Sequence, residues 1–193
     1  MSFLERIFGR RAASAYQKGM RAFNACRYEE ALGCFGAALE AGASSADPIL
    51  GLSRFYASEA ATHLGRERLN ESQPQQALRW LELAQGWRRN HPATLYLTAL
   101  AHAECGDLQA SASSLTLLHA IDPEHREAHL LRAAVLHALG ARGEAEAELR
   151  QVEPLGGVLS APLHRVLEPF ALQQAQLAAT LRNFAEARES TGV

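Results

Sequence analysis

Few side chains stand where their types and spacing could do chemistry together. His125 and His129 are four residues apart with Glu124 and Glu127 beside them, so on a helix both imidazoles face one side and could share a metal ion. The zinc-protease pattern His-Glu-x-x-His needs a glutamate directly after the first histidine, and Arg126 stands there instead. No third ligand follows at a recognisable spacing. Polar surface at a joint between helices accounts for the same residues, and no metal is expected. Trp87-Arg88-Arg89-Asn90-His91 sets an aromatic ring beside cations, a combination that stacks on bases and contacts phosphate. At a helix C-terminus the same cations meet the negative end of the dipole, and that structural use is the expectation. Glycine-rich phosphate loops are missing, as are nucleophile and base pairs with local spacing. The chain is read as non-enzymatic, with no catalytic residues and no cofactor.

Composition narrows the partners. The 193 residues are 48% apolar, enough to build a core, and 19 basic against 21 acidic residues leave a net charge of −2. A nucleic-acid binder concentrates basic excess on one face, so no nucleic-acid partner is expected. Cys26, Cys34 and Cys105 are odd in number and lack Cys-x-x-Cys spacing, which suits reduced thiols. No run of about 18 apolar residues is free of charge, and the N-terminal stretch lacks the continuous apolar segment of a secretory signal. The expected location is the cytoplasm, with contact at the inner face of the membrane as one option. One lysine against 18 arginines, with abundant alanine, points to a GC-rich bacterial genome.

The elements that must position any site follow from an internal repeat. A small residue in one helical stretch is followed twelve residues later by a small residue in the next: Gly19 and Ala31, Gly65 and Ala77, Ala99 and Ser111, Ala133 and Ala145, Ala175 and Ala187. In the first four pairs a large apolar residue comes four positions on (Phe35, Leu81, Leu115, Leu149), then Ala38, Ala84, Leu118 and Val152 three further. Offsets of four and three share one helical face, and small residues let two backbones approach where helices cross. Each unit is thus a helical hairpin, turned at Cys26-Arg27-Tyr28, Ser72-Gln73-Pro74, Gly106-Asp107-Leu108 and Gly140-Ala141-Arg142. The leading small residues are 46, 34, 34 and 42 apart. Asp47-Pro48 supplies a helix start that accounts for the first excess, giving a long helix to about Asn70, and Pro154-Leu155-Gly156-Gly157 breaks helical order at the second.

A 34-residue helix-turn-helix period resembles the tetratricopeptide repeat (TPR). The closest stretch is Gly19 to Leu32 with Phe35 and Ala38 behind it, and Leu64-Gly65 and Ile121-Asp122-Pro123 carry other parts of the pattern. Most first helices lack the tryptophan or tyrosine usual early in that family. The resemblance implies an all-α, right-handed solenoid of antiparallel hairpins with about four to five repeats. The expected division is an N-terminal amphipathic helix over 1–11, a solenoid over 12–153, and a C-terminal partial repeat or helical cap over 154–193. The solenoid's units fall at about 12–45, 58–91, 92–125 and 126–153, with the long helix start inserted at 46–57.

First helices of such hairpins line a groove that receives a linear ligand. Counting back from the small residues puts Tyr16, Met20, Phe23, Thr62, Arg66, Leu69, Tyr96, Leu100, Leu130 and His137 on that face, or packed between helices. Family members that clamp a C-terminal carboxylate use lysine and asparagine where Tyr16 and Met20 stand, so an apolar or amphipathic segment of a partner protein is the expected ligand. Phe3, Leu4, Ile7 and Phe8 form a second apolar stripe opposite Arg6, Arg10 and Arg11, behind a capping box at Ser2 to Glu5. Three uses fit it: capping its own solenoid, docking on a partner or on a neighbouring copy in a self-associating scaffold, and resting on an anionic membrane surface.

Overall fold

The computed structural model describes residues 3–41, 48–152 and 159–171, with side chains in the first helix from Arg10 onward. Among these residues there are nine helices and no strand. They are α1 (Phe3–Asn24), α2 (Tyr28–Ala41), α3 (Pro48–Asn70), α4 (Pro74–Trp87), α5 (Pro92–Glu104), α6 (Leu108–Ile121), α7 (Arg126–Ala138), α8 (Arg142–Arg150) and α9 (Ala161–Ala171). Proline opens α3, α4 and α5, where its missing N–H is one of the donors no helix uses. Asp107 caps α6 by accepting from the Ala110 N–H at 3.0 Å. The hairpin turns share one device: Cys26, Ser72, Gly106 and Gly140 all have positive φ, between 56° and 87°. That left-handed residue reverses the chain after each first helix, at a cost that glycine avoids and Cys26 and Ser72 bear.

The small residues of the repeat sit where helices touch. A Cβ on Gly19 would lie 2.6 Å from the Phe35 ring, and one on Gly65 would lie 2.7 Å from Leu81 Cγ. Ala31, Ala77, Ala99 and Ala145 are almost wholly buried. Ser111 adds a tie, its hydroxyl donating to the Ala99 carbonyl at 2.8 Å.

The chain divides into two compact units, residues 1–68 with 76–94 and residues 69–75 with 95–193. In the first, Ala22, Ala31, Phe35 and Ala57 make a core against which Tyr16, Met20, Phe23, Leu32, Tyr56 and Trp87 pack. In the second, Leu115, Leu118, Leu130, Leu131, Val135, Leu163 and Leu167 are among the buried side chains. Helix α1 runs unbroken from Phe3 through the segment expected to end at residue 11, and at 22 residues it exceeds its partner α2 by eight. The break expected around Pro154 to Gly157, the capping residue Ser2, and the final Ala175 and Ala187 pair lie outside the described residues, as do the side chains of Phe3, Leu4, Ile7 and Phe8.

Candidate functional site

The first unit gathers aromatic side chains from α1, α2 and α3. Phe23 meets the rings of Tyr28, Tyr56 and His63 edge-on at 5.5, 5.4 and 6.0 Å. Tyr28 and His63 stack face to face at 4.4 Å. Tyr16 leans on Phe35 and Tyr56 at 5.9 and 6.2 Å. Spacing along α1 explains the assembly, since Tyr16, Met20 and Phe23 follow offsets of four and three and so share a face. Tyr16, Met20, Phe23, Tyr28, Tyr56 and His63 are each half-buried, and Arg66 beside them is exposed. The surface is apolar, ring-rich and partly open to water. Burial, with the Arg66 charge second, holds His63 below the ordinary histidine value. Tyr28 is pushed up, first by a hydrogen bond with the Cys26 thiol and then by burial.

The remaining groove positions divide differently. Thr62 is 3% exposed, and its hydroxyl donates to the Ser58 carbonyl at 2.8 Å and meets the Thr94 hydroxyl at 2.9 Å. Leu69, Tyr96, Leu100 and Leu130 are 0%, 6%, 1% and 0% exposed, and His137 is half-buried. Leu69, Tyr96, Leu100 and Leu130 are packing residues in this conformation. Burial, followed by the nearby Glu127 charge, raises the Tyr96 phenol well above its usual value. Its hydroxyl is buried without a well-formed hydrogen bond, although Ser160 and Glu127 stand next to it.

The two sequence motifs with chemical promise are engaged in holding the fold. Arg88 pairs with Glu59 at 2.8 Å and lies 4.8 Å above the Phe55 ring, while His91 meets Thr94 at 3.2 Å. Asn90 takes a positive φ of 56° beyond the end of α4. His125 caps α7, its Nδ1 accepting from the Ala128 N–H at 3.3 Å, and its ring stacks on Tyr96 at 4.9 Å. His129 turns one ring nitrogen to Glu148 at 2.6 Å and donates from the other to the Pro123 carbonyl at 2.8 Å. Glu148 also takes Arg132 at 3.1 Å, so the histidine is one corner of a half-buried polar cluster joining α7 and α8. Among the described residues no group of three or more potential metal ligands is placed to hold an ion.

Sequence reasoning missed Arg165. Its guanidinium donates from Nε to Glu104 at 3.0 Å and from Nη2 to the Leu69 carbonyl at 2.5 Å, tying α9 to the ends of α5 and α3. The Glu104 side chain is 8% exposed, and burial raises its carboxyl while Arg165 pulls it back down. A lone arginine 61 residues from its partner leaves no local signal.

This architecture is the all-α fold of tetratricopeptide-repeat proteins. Among solved structures, a crystal structure of MamA superposes with a TM-score of 0.54 at 14% identity, covering 94% of this chain and 88% of that one. A second MamA crystal structure gives 0.53 at 15%, covering 90% and 95%. The C-terminal TPR-containing domain of a Plasmodium falciparum protein described as FK506-binding gives 0.50 at 13%, covering 72% and 95%. No protein-family model matches the sequence, and no curated protein matches it.

Proposed function

We propose that the protein is an interaction adaptor that binds an apolar or amphipathic segment of a partner protein on the face formed by Tyr16, Met20 and Phe23. The observation that carries this reading is the half-exposed aromatic assembly of the first unit. Rings are stiff and large, so they offer much contact area for little entropy lost on binding. Arg66, exposed at the same face, suits a segment that carries an acidic residue beside its apolar ones. Histidines and carboxylates elsewhere hold helices together, which favours binding over catalysis. Among the described residues no helix is long and apolar enough to cross a membrane.

Replacing Phe23 with glutamate puts a charge at the centre of the face. Affinity capture from the native host should then lose its partner by tenfold or more relative to wild type, with helicity by circular dichroism unchanged. Equal capture by both proteins would remove this face from the interaction. Leu100→Glu is unsuited to the purpose, because a charge at a 1% exposed site unfolds its surroundings.

A second reading, a self-associating scaffold, is favoured by the length of α1. In this reading the Phe3, Leu4, Ile7 and Phe8 stripe of the sequence meets a neighbouring copy or a membrane surface.

A further inference from the structure

Helix α9 does not simply stand beside the last hairpin. It packs on α7, and Arg165 reaches past it to Glu104 at the end of α5 and to the Leu69 carbonyl at the end of α3. Ser160, just before α9, lies next to the Tyr96 hydroxyl near the start of α5. Within the second unit, α9 and the residue before it therefore touch α7, α5 and Leu69, in the last turn of α3. These are the helices on which sequence put groove residues Leu69, Tyr96, Leu100 and Leu130, all now buried. The 11 described residues of α9 are held by their surroundings. Pro162, Leu163, Val166 and Leu167 are buried, and Arg165 finds the carboxylate and carbonyl that complete it. The fit leaves room: an open cavity of about 390 Å³ runs beside α9, lined by Ser72, Pro74, Ala103, Glu104, Val166 and Phe170.

We infer that α9 is a built-in occupant of a helix-binding groove in the second unit, displaced in function by an amphipathic helix of a partner protein. That partner helix carries aliphatic residues at the spacing of Leu163, Val166 and Leu167 and an arginine in the place of Arg165. Aliphatic burial supplies affinity, and the Glu104 carboxylate with the Leu69 carbonyl selects the cation, because a guanidinium satisfies both with directed N–H groups. Glu104 left without its cation would be a buried charge with no partner, so a helix lacking the arginine is rejected. The unfilled cavity is the reason for exchange, since a partner with a bulkier side chain there gains contacts that α9 lacks. The inference rests on reading the protein as a binder of helical segments, but it concerns a different unit from the Phe23 face.

The probe is a fluorescent peptide of residues 159–171, with and without Arg165→Glu, titrated into full-length chains. Wild type should bind neither peptide appreciably, its own α9 being in place. A chain carrying Leu163→Asp and Leu167→Asp, which alters α9 and leaves every groove residue untouched, should bind the unmodified peptide at least tenfold more tightly than the Arg165→Glu peptide. Adding Glu104→Arg to that chain should reverse the preference. Circular dichroism confirms that each chain keeps its helices. If the Leu163→Asp and Leu167→Asp chain binds no peptide, or binds both peptides equally, the inference is overturned. Capture by the Phe23 face is measured separately and would survive that failure.

Discussion

At the scale of single residues, glycines inside helices have opposite roles. Gly19 and Gly65 touch Phe35 and Leu81 so closely that a methyl group would overlap them, whereas Gly36 on α2 has nothing within 4 Å of a built Cβ. Alanine in place of glycine gains about 1 kcal/mol of helix propensity, and overpacking a tight crossing costs about 1–3 kcal/mol. Thermal melts should therefore show Gly36→Ala stabilised by up to about 1 kcal/mol and Gly65→Ala destabilised by about 1 kcal/mol or more. Equal shifts would mean that the crossing relaxes freely. These contacts were legible in the sequence because small and large residues sixteen apart recur in register. Arg165 was not, because nothing in its neighbourhood encodes a contact made across the fold.

At the scale of elements, the aromatic joint of α1, α2 and α3 makes stability depend on pH. Burial lowers the pKa of His63 from an ordinary value of 6.5, so the fold prefers the neutral ring. Below about pH 6.5 the unfolded chain takes up the proton first, and stability present above that pH is lost as pH falls towards the folded value. His91, lowered by burial and then by Arg88, acts in the same direction. The melting temperature should drop between pH 7.5 and 5.5, and by less in His63→Gln; an identical drop in both proteins would show that the Tyr28 stack does not discriminate between ring charge states. Helix α3 was readable from Pro48 to Asn70 because proline marks its start and helical periodicity carries it on. The inward faces of α5 and α7 were readable as apolar, but periodicity gives no means of telling an open groove wall from a packed one.

At the scale of the whole molecule, the adaptor and scaffold readings differ in what α1 does. Removing residues 1–10 deletes an apolar stripe whose burial is worth about 1.5–3 kcal/mol per large side chain. A scaffold should lose an oligomer detectable by light scattering on truncation. A chain whose stripe caps its own fold should instead melt lower with its mass unchanged. Repeat period and composition made the fold class legible, whereas the partner's identity is written in the partner.

In the adaptor proposed above, a foreign protein segment lies on the Tyr16, Met20 and Phe23 face. A photo-crosslinking amino acid at Met20, compared with one at exposed Ser113 on α6, tests it within the native host. A discrete adduct with another protein is expected from position 20, and none of that mass from position 113. Adducts only with a second copy of this chain, or the same adducts from both positions, would contradict it.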